Sequence, residues 1–333
     1  MSALTSPPFA HEMWFPHHGF PMDWAFAAQA ATISLLLAAV AMTLAVRLVG
    51  HFWPGVDVPW LGRLAPFMPF AVRLHLAVSL VGLLSMGDYL SPDMDLPATP
   101  AGIVLGSVMA MVAIGMATGW QARRAAILLI AAGPLGAAMF GISPVLQRID
   151  LLGLAVFVLA AGAGRWSADF EQGRATDPTP LQTARAVWAL RVGAGVALVV
   201  VAFVEKLANP QLALDFLARH PELNVAHQLG LGMSDLGFVR TAGAIEVLFG
   251  LLLISGALPQ AIVLIAGVPF NATLWFFGAT ELVGHLPVYG AMLVLLVYGS
   301  DPQLRAGVRE LWPWASSRQR RLRPAGVASA TNP

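Results

Sequence analysis

Nine stretches of the chain are apolar over most of a membrane crossing, and short polar turns separate them. They run from Trp24 to Val46, Phe70 to Leu90, Ala101 to Trp120, Ala125 to Ile142, Ile149 to Gly164 and Val187 to Ala208. Two more lie within Phe238 to Leu286, and the last runs from Pro287 to Gly299. A helix rises 1.5 Å per residue, so about 20 apolar residues cross the roughly 30 Å hydrocarbon core. The pattern predicts an all-α polytopic membrane helix bundle of about nine transmembrane helices. Between Arg47 and Pro69 the chain is broken by prolines and rich in aromatics, which suits a segment lying along the membrane surface.

The pattern also repeats. Arg73 to Pro92 aligns without a gap on Arg191 to Pro210, and further on Gly106 matches Gly243, Gly119 matches Gly256 and Pro134 matches Pro269. Pro144-Val145 matches Pro287-Val288 in the same order. Four helices return the chain to its starting side, so two such units would share one orientation and be related by an axis along the membrane normal. The expected division is an outer N-terminal segment, first helix and interfacial loop over 1–69, and a first four-helix repeat over 70–164. An inner linker follows over 165–186, then a second repeat over 187–300 and a basic inner tail over 301–333. The second unit has longer connections, holding His220, Glu222, His227, Asp235 and Glu281, so it is expected to be the specialised one.

Composition agrees with the pattern. The 333 residues are 57% hydrophobic and 11% charged, with mean hydropathy +0.72, whereas a soluble domain carries about 25% charged residues. The lipid bilayer is therefore the first partner. There is no cysteine, which removes disulfides, Fe–S ligation and covalently attached haem. If the N-terminus is outside, Arg148, Lys206, Arg219 and Arg240 are the basic residues placed outside, and the rest of the 19 fall inside. This bias predicts N-terminus outside and C-terminus inside, in a bacterial-type cytoplasmic (inner) membrane. His11, His17, His18, His220, His227 and His285 then lie on the outer side. The basic tail suits anionic headgroups rather than nucleic acid, and no P-loop, dinucleotide fingerprint, HExxH or nucleophile elbow is present.

Ionisable groups inside apolar helices are costly unless they face the bundle interior and find partners. Glu246 lies about 9 Å below Arg240 along one helix, and it either pairs with a cation such as Lys206 or takes up a proton. Glu205 and Lys206 close the sixth helix, where anchoring is the alternative to a site. Glu281 and His285 are four apart and share a face if helical; they suit proton transfer, half a metal site, or a hydrogen-bonded interfacial pair. Asp88 aligns with Lys206 and could pair with it across the pseudo-axis. His11, His17, His18, His220 and His227 are the metal-ligand candidates, although their spacing matches no defined site.

In its second half the chain resembles the DoxX-like membrane family. The features are RVGAGVALVVVAFVEKLANP, with an opening Arg and a closing Lys, and VRTAGAIEVLFGLLLISG, with Glu inside a Gly-rich helix. The resemblance spans roughly 185 to 300 and implies a four-helix unit in which Arg191, Lys206 and Glu246 are the matching positions. Some such proteins are similar to the DoxD subunit linked to thiosulfate:quinone oxidation and others are tied to redox homeostasis. It implies a membrane component of a redox system, with a quinone as the candidate cofactor and partner subunits. Two other readings stay open: a non-enzymatic structural or assembly subunit, and a transporter of a metal ion or small solute.

Overall fold

The computed structural model describes residues 20–53, 58–277 and 280–314, and the side chains of residues 277, 280 and 281 lie outside that description. Among the described residues nine principal helices form the bundle: α1 Ala30–Phe52, α2 Met68–Met86, α3 Pro100–Thr118, α4 Ala122–Phe140, α5 Ile149–Ala161, α6 Pro180–Ala202, α7 Asp235–Ser255, α8 Pro259–Phe277 and α9 Thr280–Ser300. Among the described residues eight helices are long and apolar enough to cross a membrane, and α5 is a shorter apolar one. A separate short helix, Ile142–Gln147, precedes α5, so the fifth crossing is broken at Arg148. Large apolar side chains such as Leu37, Leu44, Val81, Ile103, Ile114 and Val268 are exposed around the bundle. Such a surface belongs in lipid, and the protein is a multi-pass membrane protein.

Helix ends follow local chemistry. Thr99, Thr179 and Ser234 cap α3, α6 and α7 through their side-chain oxygens, satisfying N–H groups that have no partner in the first turn. Gly87, Gly119 and Gly256 end α2, α3 and α7 in the left-handed conformation, which costs glycine little.

One boundary differs from the sequence expectation. Pro287 was expected to open the ninth helix, but α9 begins at Thr280 and Pro287 lies inside it. A proline cannot donate to the carbonyl four residues back, and Ser79 Oγ of α2 donates to that carbonyl, Val283 O, at 3.0 Å. With this outside donor the helix continues through the proline. Glu281 therefore belongs to the last crossing rather than to an insertion before it.

Several aligned positions of the two expected repeats are used alike. Arg73 and Arg191, aligned in the sequence, are both fully buried. Arg73 donates to Met116 O at 2.7 Å, Ala163 O at 2.9 Å and Trp166 O at 2.8 Å, which lie beyond or at the ends of α3 and α5. Arg191 donates to Val308 O at 2.5 Å and Glu310 O at 2.7 Å, just beyond α9. Each guanidinium lies against the left-handed glycine that ends the next helix, Gly119 or Gly256, where a Cβ would collide with it. The turns after these glycines match as well: Gln121 has φ 49° and Leu258 has φ 39°.

The units meet reciprocally, α5 of the first on α6 of the second and α9 of the second on α2 of the first. At the α5–α6 crossing Gly153 and Gly193 bring the backbones together; a Cβ on Gly193 would stand 2.6 Å from Gly153 Cα. On its other side α6 meets α7 through Gly195 and Gly250 in the same way. Small residues permit this close packing in lipid, where dispersion and hydrogen bonds replace the hydrophobic drive. The leading helix α1 packs on α7.

The bundle has two distinct ends. One holds Arg73, Arg191 and the exposed Trp120, Trp166, Trp312 and Trp314, as expected of an aromatic belt. The other holds Asp88, Glu205, Lys206 and the start of α7.

Candidate functional site

Beyond Ala202 the sixth helix widens into a π-helical turn, Phe203–Leu207, with Ala208 N–H donating to Phe203 O at 2.8 Å. A π turn inserts one extra residue into the ladder and often marks a functional position. Here it carries Glu205 and Lys206. Gly243 of α7 lets the turn approach, because a Cβ there would meet Leu207 and Lys206. Lys206 Nζ lies 3.0 Å from Glu246 Oε1 and 3.5 Å from Glu205 Oε2. All three side chains are largely buried, at 11%, 16% and 30% exposure for Lys206, Glu205 and Glu246.

Two carboxylates thus share one ammonium, and Glu246 Oε2 is buried without a hydrogen-bond partner among the described residues. A group with net charge −1 when fully ionised, in surroundings of low dielectric, is relieved by one proton or one cation. Asp93, in the loop after α2, stands close enough to Glu205 to add to the repulsion.

The other candidates separate from this cluster. Arg240 donates to Gln29 Oε1 at 2.6 Å and Thr32 Oγ1 at 3.2 Å, and stands 4.6 Å from the centre of the Phe26 ring. It fastens α7 to the N-terminal helices. Arg191 is committed to backbone carbonyls at the opposite end of α6, so the structure gives it a framework task. The backbone of Asp88 forms a bridge with that of Asp95 in the loop after α2, and its N–H donates to Leu83 O at 2.9 Å. Lys206 pairs with Glu246 and with Glu205.

His220 pairs with Glu222 at 3.2 Å and packs on Phe216. The backbone N–H of Glu222, with help from His220, holds that carboxyl below its usual range. His227 lies on the separate turn Val225–Gln228. Among the described residues no three His, Asp or Glu side chains gather as metal ligands. His11, His17 and His18 lie outside the described residues, as does the side chain of Glu281.

His285 packs edge-on against Phe270 with ring centres 5.1 Å apart. Beside it is a polar group that sequence reasoning missed. Arg148 donates to Gly284 O at 3.2 Å, yet its Nε lies 3.9 Å from Asp150 Oδ1, too far for a hydrogen bond. The signal for it was an Arg and an Asp two apart between apolar runs.

Between α8 and α9 runs a groove of about 540 Å³, lined by Val263, Leu264, Gly267, Asn271, Tyr289 and Met292 among others. Leu264 and Val268 are exposed at its rim, so it opens toward lipid. Tyr289 OH reaches Asn271 Oδ1 at 3.4 Å, while Asn271 Nδ2 donates to Gly267 O at 2.7 Å. In comparisons with known proteins, no family model, curated protein or solved structure matches this chain.

Proposed function

We propose that this chain is the membrane component of a quinone-linked redox system, of the DoxX-like kind that its second half resembles. The observation that carries the reading is the Glu205–Lys206–Glu246 cluster: two buried carboxylates on one ammonium, in a π turn, with one carboxylate oxygen unpartnered. Quinone reduction takes up two electrons and two protons, and oxidation of the quinol releases them. A lipid-dissolved carrier therefore needs a proton-exchanging group near the membrane edge, and Glu246 fits that role with Lys206 holding its charge.

The α8–α9 groove supports the quinone class. It is open to lipid, mostly apolar, and offers the Tyr289 hydroxyl and the Asn271 carboxamide to a carbonyl oxygen. Electrons would come from a donor carried by a partner subunit. The proposed setting is an inner membrane with the acidic end and the N-terminus outside and the arginine end inside, as the charge bias favours.

The test is purification in mild detergent with native lipid, extraction of bound quinone, and quinone-coupled oxidation with the partner fraction present. Co-purifying quinone that is lost in Tyr289→Phe combined with Asn271→Leu, and turnover that falls in Glu246→Gln, are the expected results. A quinone-free preparation with no coupled activity would sink the reading. The assembly-subunit alternative then takes its place, favoured by the arginines: Arg73, Arg191 and Arg240 all hold helices together.

A further inference from the structure

On the arginine end of the first unit, the start of α4 and the segment after α5 enclose a cleft of about 240 Å³. Arg123, Arg124 and Arg174 line it, with Asp169 as the acidic side chain among its lining residues. Asp169 is fully engaged already. Its two oxygens accept the N–H groups of Gln121 and Ala122 at 3.0 Å each, and Arg174 pairs with it at 3.0 Å. Arg124 donates to Gln121 Oε1 at 2.8 Å. Arg123 has no hydrogen bond or ion pair among the described residues, and its guanidinium lies over Gly162. Three guanidinium charges against one carboxylate leave the cleft with a formal charge of +2.

The second unit shows that the turn itself does not need these arginines. The same left-handed glycine and positive-φ residue recur at Gly256 and Leu258, and the positions equivalent to Arg123 and Arg124 are Gln260 and Ala261. The basic groups are an addition to a turn that folds without them. Trp120, next in sequence to the lining residue Gln121, and Trp166 are both exposed at this end of the bundle, as suits aromatic side chains among headgroups.

We infer that this cleft binds a phosphate group, with the phosphodiester of an anionic phospholipid as the expected source. Guanidinium groups match phosphate oxygens with paired N–H donors, and such basic pockets between transmembrane helices suit lipid headgroups. The inference does not depend on the quinone reading, since it concerns the opposite end of the bundle.

The test uses the full chain with its basic tail, wild type beside Arg123→Gln/Arg124→Gln, each delipidated in mild detergent. Thermal unfolding is followed on adding phosphatidylglycerol, cardiolipin, phosphatidylcholine or inorganic phosphate, and retained lipid is counted by native mass spectrometry. Saturable stabilisation by the anionic lipids, with retained lipid falling at least about threefold in the variant, is the expected result. Equal stabilisation by inorganic phosphate would assign the same site to a soluble phosphate. If the double variant is too unstable to compare, Arg123→Lys, which keeps the charge but loses the paired donors, is measured instead and should weaken retention. Retention unchanged in the variants, or no preference of the wild type for anionic lipid over phosphatidylcholine, would overturn the inference and leave the arginines as orientation signals alone.

Discussion

The ends of α2 and α6 occupy equivalent places in the two units, and they finish in opposite ways. In the first unit α2 stops at Gly87, and Tyr89 turns back into the bundle, fully buried, its hydroxyl donating to Ala132 O at 3.1 Å. Burial pushes the Tyr89 phenol up to about 12, so it remains a neutral plug. In the second unit Glu205 stands where the first has Gly87, and the helix runs on through a π turn with Lys206 behind it. At this place the first unit turns a tyrosine back onto a neutral hydrogen bond, whereas the second holds Glu205, Lys206 and Glu246, with Glu246 Oε2 buried without a hydrogen-bond partner among the described residues. A shared frame therefore carries the fold, and the departure from it marks where chemistry is to be sought.

The most severe way to break this comparison is at the joint between the units. Gly193→Leu would drive a side chain into the Gly153 backbone, which cannot give way as a side chain would; overpacking costs roughly 3 kcal/mol or more. The expected result is loss of a monodisperse peak on size exclusion in mild detergent. Next are the two buried arginines. A hydrogen bond to a charged group is worth about 1.5–3 kcal/mol, so Arg73→Met and Arg191→Met should each lower stability by at least about 3 kcal/mol in thermal or denaturant unfolding. A large effect at only one of the two would show that the frame is not shared.

A smaller effect sharpens the asymmetry. Glu246→Ala removes the closer partner of Lys206, but Glu246 is nearly a third exposed and Glu205 remains, so about 1 kcal/mol is expected after allowance for screening. Glu246→Gln keeps the shape and should leave folding intact while impairing coupled turnover. Tyr89→Phe, at the plug of the first unit, should leave turnover unchanged; an equal loss there would remove the functional distinction between the ends.

The smallest effect concerns pH. Asp169 is partly desolvated, which raises its pKa, but the N–H groups of Gln121 and Ala122 together with Arg174 outweigh this and hold it below the usual carboxylate range. A depressed folded-state pKa contributes stability above the ordinary value of about 4, and that contribution is lost as pH falls through the folded-state value. The unfolding temperature of wild type should therefore fall more steeply below about pH 4 than that of Asp169→Asn. Parallel curves would contradict the assigned pairing.

The crossings were legible because length and apolarity decide them, and Arg73 with Arg191 was legible as an aligned pair inside apolar sequence. The Lys206–Glu246 pair followed from the need of each charge for a partner. The π turn was not legible, since FVEKL reads as an ordinary helix end and the extra residue depends on how closely α7 approaches at Gly243. Nor was the run of α9 through Pro287, because the donor that replaces the missing N–H is Ser79, some two hundred residues earlier. The division of labour among arginines also escaped the sequence. Arg240 resembles a site residue by depth alone, and only the position of Gln29 and Thr32 assigns it to α1.

The reciprocal packing of α5 on α6 and of α9 on α2 has a consequence for how the halves can change. Two separate four-helix chains meeting this way would form a symmetric pair, and any substitution would appear on both sides of the axis at once. Joining them by the 162–179 connection makes the encounter intramolecular, at an effective concentration set by a short tether. Each half then always meets the other and never a copy of itself. A charged π turn can be developed on one side while its counterpart ends in a tyrosine plug, and the burial of a carboxylate oxygen without a hydrogen-bond partner is incurred once per molecule instead of twice.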